Sequence, residues 1–445
     1  MAANSTVTTN DHLTSLATLI SSSVQEVIAA YTSIGQAVPS LDSVEPGPFD
    51  GAVEDVPERL ARAVRVIEAA CAQLVCTVSN PSGLVFDKAI AQPELSCLII
   101  VTNARIADLL ADKPEGMHVK QLAETSGFGD SDKLGRVMRL LAAKHVFHEV
   151  RPDVYANNRL SVKLISKNPM FDLASLFMDE IRLAAAHAYE TFSTKPKFPD
   201  ETAFQRLTGH KLFDWYNLPE NKEKAERLNR AMVAATKMHG SFLSKVYPWM
   251  EHPSECTACD VAGGNGHNMM DLLKKHPNLK AVLQDQPEVI EQAKEYWTKE
   301  YPQAIEEKRV QFVPFNFFTD QAVEGCDVYY LRCIIHDWPD DRCLTILRNI
   351  RKAMKPEARL VIHELAIPSP ARYVQCPEDR APEPLLPNWG ASIARAYDFD
   401  FVMMTSCGAK ERTLEEMVSL CEMCGLRFRQ LYPAGKMDLM EFIPV

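Results

Sequence analysis

From residue 256 onward, short apolar runs alternate with longer amphipathic stretches. Strands are predicted at 256–262, 280–285, 310–315, 326–334 and 359–365, with helices near 267–276, 288–300 and 341–354. Alternation of this kind builds a doubly wound α/β sheet whose ligand crevice lies at the carboxyl ends of its strands. A Pro-rich insertion (366–390) follows, then a helix, a second helix from Thr413, and strands at 427–433 and 437–443. Thr413 and Glu416 form a capping box for that second helix, and Gly425 closes it. The last two strands have only a short turn between them, so they must pair antiparallel.

The first half reads differently. Helical apolar spacing covers 11–37 and 57–78, separated by a proline-rich connector at 38–56. Helices are predicted at 94–112, 118–125 and 131–143, followed by the short strands HVFHEV and DVYANN around Arg151-Pro152, which is the winged-helix pattern. Such units often bind DNA. Here Lys120, Lys133, Arg136 and Arg139 are interleaved with Glu124, Asp130 and Asp132, a poor phosphate-binding face, so an oligomerisation or scaffold role is expected. Residues 170–250 read as wholly helical, with apolar positions at Phe171, Leu176, Phe204, Phe213 and Trp249, and as a pocket wall.

A formal net charge of -11 disfavours nucleic acid and anionic membranes as partners. No stretch reads as approaching the ~20 apolar residues that span a bilayer, and the start MAANST lacks the pattern of a secretory signal. The twelve cysteines sit mostly in apolar runs, as Cys97, Cys326 and Cys333 do, which suits reduced core cysteine in the cytosol. The pairs Cys256/Cys259 and Cys421/Cys424 have zinc-like spacing, but a strand, a helix and long separation divide them, so no metal is expected.

The strand CTACDV runs into Ala262-Gly263-Gly264-Asn265-Gly266-His267 and then a helix. Glycines there let the backbone approach a ligand. Asp285 ends the second strand and can accept both hydroxyls of a ribose; its alternative is an N-cap of the next helix. Those features fit NAD-type and S-adenosylmethionine (SAM)-type sites equally. The fourth strand leads into Arg332 and on to His336 in LRCIIHDWPDD, while Glu364 ends strand VIHE and Glu411 lies in GAKERT. A carboxylate on one imidazole nitrogen fixes the tautomer and raises basicity at the other, and a phenol of pKa ~10 then has a base for its proton.

The run DVAGGNGH, Asp285, LRCIIHDWPDD, IHE and GAKERT resembles plant-type and fungal small-molecule O-methyltransferases over 94–443. The resemblance implies a winged-helix dimerisation half, a class I methyltransferase half, SAM as cofactor, a small-molecule substrate and a homodimer with exchanged N-terminal segments. It implies that Asp260, Gly263, Gly264, Gly266, Asp285, Asn316, Phe317 and Arg332 face the cofactor. His336 is then the base, flanked by Glu364 and Glu411, and Trp338, Met403 and Met404 line the substrate. The implied division is an N-terminal helical dimerisation segment (1–93), a winged-helix-like domain (94–165), a helical linker and pocket region (166–250) and the SAM-binding domain (251–445). Three features depart from the family pattern: Ala262 for a glycine, Asn316 for an adenine-binding Asp, and a long insertion carrying Pro368, Pro370, Pro377, Pro382, Pro384 and Pro387. They leave open a pericyclase or dehydratase that holds SAM without transferring its methyl group. A third class, a winged-helix regulator with a degenerate enzyme half, would need salt-sensitive DNA binding.

Overall fold

A computed structural model describes residues 9–198, 200–240, 242–368 and 380–445. Pro370 and Pro377 of the insertion lie outside the described residues. Two compact units are present. The first comprises the chain through Ala186, Phe213–Met238 and the residues from 380 to Ala394; the second comprises His187–Leu212, 239–368 and Arg395–Val445. The units therefore interleave along the chain, where the sequence suggested consecutive blocks.

In the first unit, α1 (Thr9–Ser33) packs along α2 (Glu58–Val78). Leu16, Val66, Ala69 and Ala70 form a small core with Ala381, Leu385 and Trp389 of the insertion. Trp389 is 1% exposed, with the guanidinium carbons of Arg65 and Arg62 lying 4.1 and 5.2 Å from its ring centroid. Gln73 Nε2 donates to the Pro384 carbonyl at 2.9 Å. The expectation about spanning length needs correction: Asn10–Ser33 is apolar and long enough to cross a membrane by length and composition, and it is mostly exposed on this chain.

The winged-helix region contains α3 (Gln92–Asn103), α4 (Val119–Ser126) and α5 (Ser131–Ala143). Their core is Leu122, Leu134, Met138, Leu141 and Tyr155. The helix predicted over 94–112 breaks at Arg105, whose left-handed φ of 53° starts a separate turn at Ile106–Leu109. The wing has three strands, β1 (Met117–His118), β2 (His148–Arg151) and β3 (Val154–Ala156), in the order β1-β3-β2. The two-residue β1 is too short to show a period.

Residues 169–239 are helical but broken. A π-turn at Phe177–Ile181 carries a non-helical Asp179 (φ −103°, ψ −108°), and short helices lead to α6 (Lys222–His239). Phe204 and Trp249 are buried as expected, whereas Phe213 is 40% exposed.

The second unit holds β4 (Thr257–Val261), β5 (Lys280–Asp285), β6 (Val310–Pro314), β7 (Val328–Arg332), β8 (Arg359–Glu364), β9 (Leu426–Ala434) and β10 (Met437–Pro444). They form one sheet in the order β6-β5-β4-β7-β8-β10-β9, parallel except for β10, which runs antiparallel to both neighbours. This is the class I methyltransferase architecture. Helices α7 (His267–Lys275), α8 (Pro287–Glu300), α9 (Asp340–Ala353), α10 (Ala394–Ser406) and α11 (Leu414–Glu422) accompany it, the last opened by the Thr413–Glu416 capping box. One sheet face packs Val261, Leu331 and Ile362 against Ile346, Leu347, Met417 and Leu420. The other packs Ala258, Tyr330 and Val361 against Met269, Leu272 and Leu273. Strands β4 and β7 end earlier than predicted because Ala262 (φ 58°) and Cys333 (φ 53°) turn left-handed.

The described cysteines are free, and no group of three or more His, Cys, Asp or Glu suited to a metal occurs among the described residues.

Replacing Trp389 by Ala removes a buried aromatic from the small core, at an expected cost of about 3–5 kcal/mol. Limited proteolysis should then cut first in α1, α2 or the insertion; an unchanged digestion pattern and melting curve would refute the packing role.

Candidate active site

The glycine turn is shaped by close approach. A Cβ on Gly263 would lie 2.3 Å from the Asp260 carboxylate and 2.6 Å from Leu283 Cδ1, and one on Gly266 (φ 74°) would meet Trp297 Nε1 at 2.9 Å. Gly264 (φ 61°) has nothing within 4 Å of that position, so the turn is open on its outer side. Trp297 Nε1 donates to the Asn265 carbonyl at 2.8 Å and holds the turn from beneath. Ala262 takes the left-handed angle that a glycine would, at a cost of roughly 1–2 kcal/mol.

Asp285 accepts from the Gly264 N–H at 2.8 Å and the Gln286 N–H at 2.7 Å. The side chain does not cap α8, whose N-cap is Gln286. Burial raises the Asp285 pKa, and those two N–H groups oppose the rise. Asp260 is buried with Oδ2 unpartnered; burial and then nearby Asp285 push it up to about 7, against Arg332. Arg332 donates to Asn268 Oδ1 at 2.9 Å and the Gly240 carbonyl at 3.1 Å.

Asn316 turns the chain after β6: its N–H donates to Asp320 and its Oδ1 accepts from the Phe318 N–H at 3.0 Å. That carbonyl oxygen already serves the turn, so it is partly taken as an acceptor for an adenine amino group. Phe318 lies edge-on to Phe317 and to Trp338, with centroids 4.7 Å apart in both pairs.

His336 sits in a single helical turn, Ile335–Asp337, after β7. Glu364 Oε1 accepts the N–H groups of Ile334 (3.0 Å), Ile335 (2.6 Å) and His336 (3.3 Å). Buried Arg412 donates to the carbonyls of Ile335 (2.9 Å) and Trp338 (3.0 Å) and to Asp340 (2.6 Å). The imidazole Nδ1 lies 2.7 Å from Glu411 Oε1, and Nε2 lies 3.7 Å from Asp337 Oδ1. Asp400 accepts the Glu411 N–H at 3.0 Å, fixing that carboxylate's backbone. Burial disfavours the imidazolium, yet Glu411 and Asp337 outweigh it and hold His336 well above its usual range. Burial pushes Asp337 up to about 6.

Of the three residues grouped as catalytic, His336 and Glu411 meet. The hydrogen bonds of Glu364 go to the backbone that carries the imidazole, not to the ring. Asp337, Asp400 and Arg412 were not singled out from sequence, although Asp337 and Arg412 lie inside the quoted motifs HDWPDD and GAKERT. Met403 and Met404 are consecutive on α10 and so point about 100° apart: Met403 is buried and Met404 is 40% exposed.

With this geometry in hand, the similarities are specific. Residues 193–427 match a family model for an O-methyltransferase domain, and 94–167 match one for an O-methyltransferase dimerisation domain. The chain is 43% identical to 3-O-methyltransferase 2 of Phanerochaete chrysosporium over 443 residues, covering 97% of each. Among solved structures it resembles the mitomycin 7-O-methyltransferase MmcR (25% identity, 82% of this chain and 98% of that one, TM-score 0.67). It also shares the fold of LepI in complex with SAM (22% identity, 88% and 98% coverage, TM-score 0.70).

The raised His336 pKa means that the His336–Glu411 pair stabilises the fold fully below about pH 6.5, the unfolded histidine value, and loses that contribution as pH rises through the folded value. In an NMR titration, His336 should release its proton well above pH ~6.5, and Glu411→Gln should move that release downward. A wild-type midpoint at or below the ordinary value would contradict the pairing.

Proposed function

The chain belongs to the O-methyltransferase family and is a SAM-dependent enzyme, and from that premise we propose that it methylates a phenolic or enolic hydroxyl of a small molecule with His336 as general base. The observation that carries this reading is the 2.7 Å contact between His336 Nδ1 and Glu411, on a loop held by Glu364 and Arg412. Glu411 keeps the Nδ1 side occupied and leaves Nε2 to take the proton of an acceptor hydroxyl.

The residues around the glycine turn fit SAM. Asp260 offers a buried, unpartnered carboxylate oxygen; the turn leaves no room for a Cβ at Gly263; and Asp285, bonded to the Gly264 N–H, would hold the ribose. When bound, SAM supplies an electrophilic methyl group on a sulfonium. His336 would take the proton of the acceptor hydroxyl as its oxygen bonds to the methyl carbon and the methyl–sulfur bond breaks, leaving the thioether S-adenosylhomocysteine and a protonated ring. Ala262 keeps the angle of the glycine it replaces, so this departure does not dismantle the turn.

For the assembly we infer a homodimer, with 1–93 and 94–165 serving association, 166–250 the substrate wall, and 251–445 the cofactor and chemistry. The dimerisation-domain match supports it, as do exposed Ile28, Val78, Val85 and Phe86. The free cysteines among the described residues fit a cytoplasmic setting, and a small-molecule hydroxyl as acceptor fits secondary metabolism.

Purified protein given SAM and a panel of mono- and dihydroxylated phenols should form methyl ether and S-adenosylhomocysteine in equal amounts. Recovery of intact SAM beside a rearranged product would instead support the pericyclase reading. His336→Ala should lower kcat by about 10²–10⁴-fold with cofactor affinity little changed. For the wild type, kcat/KM should fall as pH drops through the raised His336 pKa. Glu411→Gln should carry that acid limb to lower pH and reduce the plateau; an unmoved limb would remove Glu411 from the mechanism.

A further inference from the structure

Behind the glycine turn lies a group of buried polar side chains that the proton transfer does not use. Asp260 is in register with Tyr330, and Arg332 with His363, so all four share one face of the sheet. Asp260 and His363 are 2% and 1% exposed. The Tyr330 hydroxyl lies 2.7 Å from His363 Nδ1, and Arg332 directs its two terminal nitrogens to Asn268 and Gly240.

What remains is His363 Nε2, Arg332 Nε and Asp260 Oδ2, each buried with no hydrogen-bond partner. Native interiors seldom leave such atoms unpaired without a purpose. Burial first, then the neighbouring charges of Arg332 and His239, hold His363 neutral. We assign the Tyr330 hydroxyl as the donor to Nδ1, an assignment that leaves the ring proton on Nε2. The set then offers two N–H donors and one carboxylate acceptor within three adjacent strands. A ligand with a carboxylate and an ammonium on one carbon, an α-amino acid, would satisfy all of them.

We propose that His363, oriented by Tyr330, binds the carboxylate at the amino-acid end of SAM, beside Arg332 Nε and opposite Asp260, which takes the ammonium. This rests on the SAM reading above and adds to it a binding residue and a positioning residue, Tyr330. His363 lies in VIHE, where the sequence drew attention only to Glu364.

Calorimetric titration of the full chain with S-adenosylhomocysteine and with 5′-methylthioadenosine, which lacks the amino-acid portion, separates the possibilities. The wild type should bind S-adenosylhomocysteine more tightly. His363→Leu should weaken it about tenfold or more, as expected for a lost hydrogen bond to a charged group, and leave methylthioadenosine within about twofold. His363→Gln, which restores an N–H donor, should recover part of the loss, and Tyr330→Phe should cost a smaller factor. Unchanged S-adenosylhomocysteine affinity in His363→Leu overturns the proposal, as does equal weakening of both ligands, which marks a structural role. If the wild type binds neither, the cofactor reading itself fails and this one with it.

Discussion

The site depends on one carboxylate oxygen. Glu364 Oε1 gathers the N–H groups of Ile334, Ile335 and His336, while Arg412 takes the carbonyls of Ile335 and Trp338 from the other side. A loop leaving a parallel strand has no ladder for these groups, and unpaired buried backbone is costly. The two side chains supply the missing partners and fix where the imidazole points. Glu364 arrives from β8 and Arg412 from just before α11, so the His336 loop becomes rigid only when both chain segments have folded around it.

That rigidity gives the electrostatics their meaning. An imidazole between Glu411 and Asp337 holds its proton beyond the usual histidine range, which alone would make it a reluctant base at neutral pH. Positive charge brought close to an imidazolium lowers its pKa. SAM would supply such charge on its sulfonium, and held near the ring it would shift His336 toward the neutral form that can accept a proton. Glu411 then stabilises the imidazolium formed on transfer. The carboxylates that hold the proton on the free site thus also stabilise the product of proton transfer.

Much of this was legible in the sequence where the signal was local. Periodicity located β5 and the hairpin of β9 and β10, and the Thr413–Glu416 spacing located its capping box. The resemblance grouped His336 with Glu411 because their motifs are contiguous strings. What stayed hidden was settled by distant partners. Glu364 was read as flanking the imidazole, since its place at a strand end is visible but the direction of its oxygens is not. The packing of Trp389 on α2 joins residues over three hundred positions apart, and nothing local announces it. Met403 and Met404 looked equivalent in sequence, yet one is buried and the other exposed.

The glycine turn shows how a departure from a family pattern should be weighed. Gly263 and Gly266 are required by atoms a few ångströms away, the Asp260 carboxylate and the Trp297 ring, so a methyl group at either must displace a buried neighbour. Ala262 faces only a conformational demand, a positive φ of 58°. That demand is a modest energy which the hydrogen bonds from the Ala262 and Gly263 N–H groups to the Gln284 carbonyl can offset. Substitution is tolerated where a glycine answers to an angle and not where it answers to contact, and the alanine falls at the first kind of position.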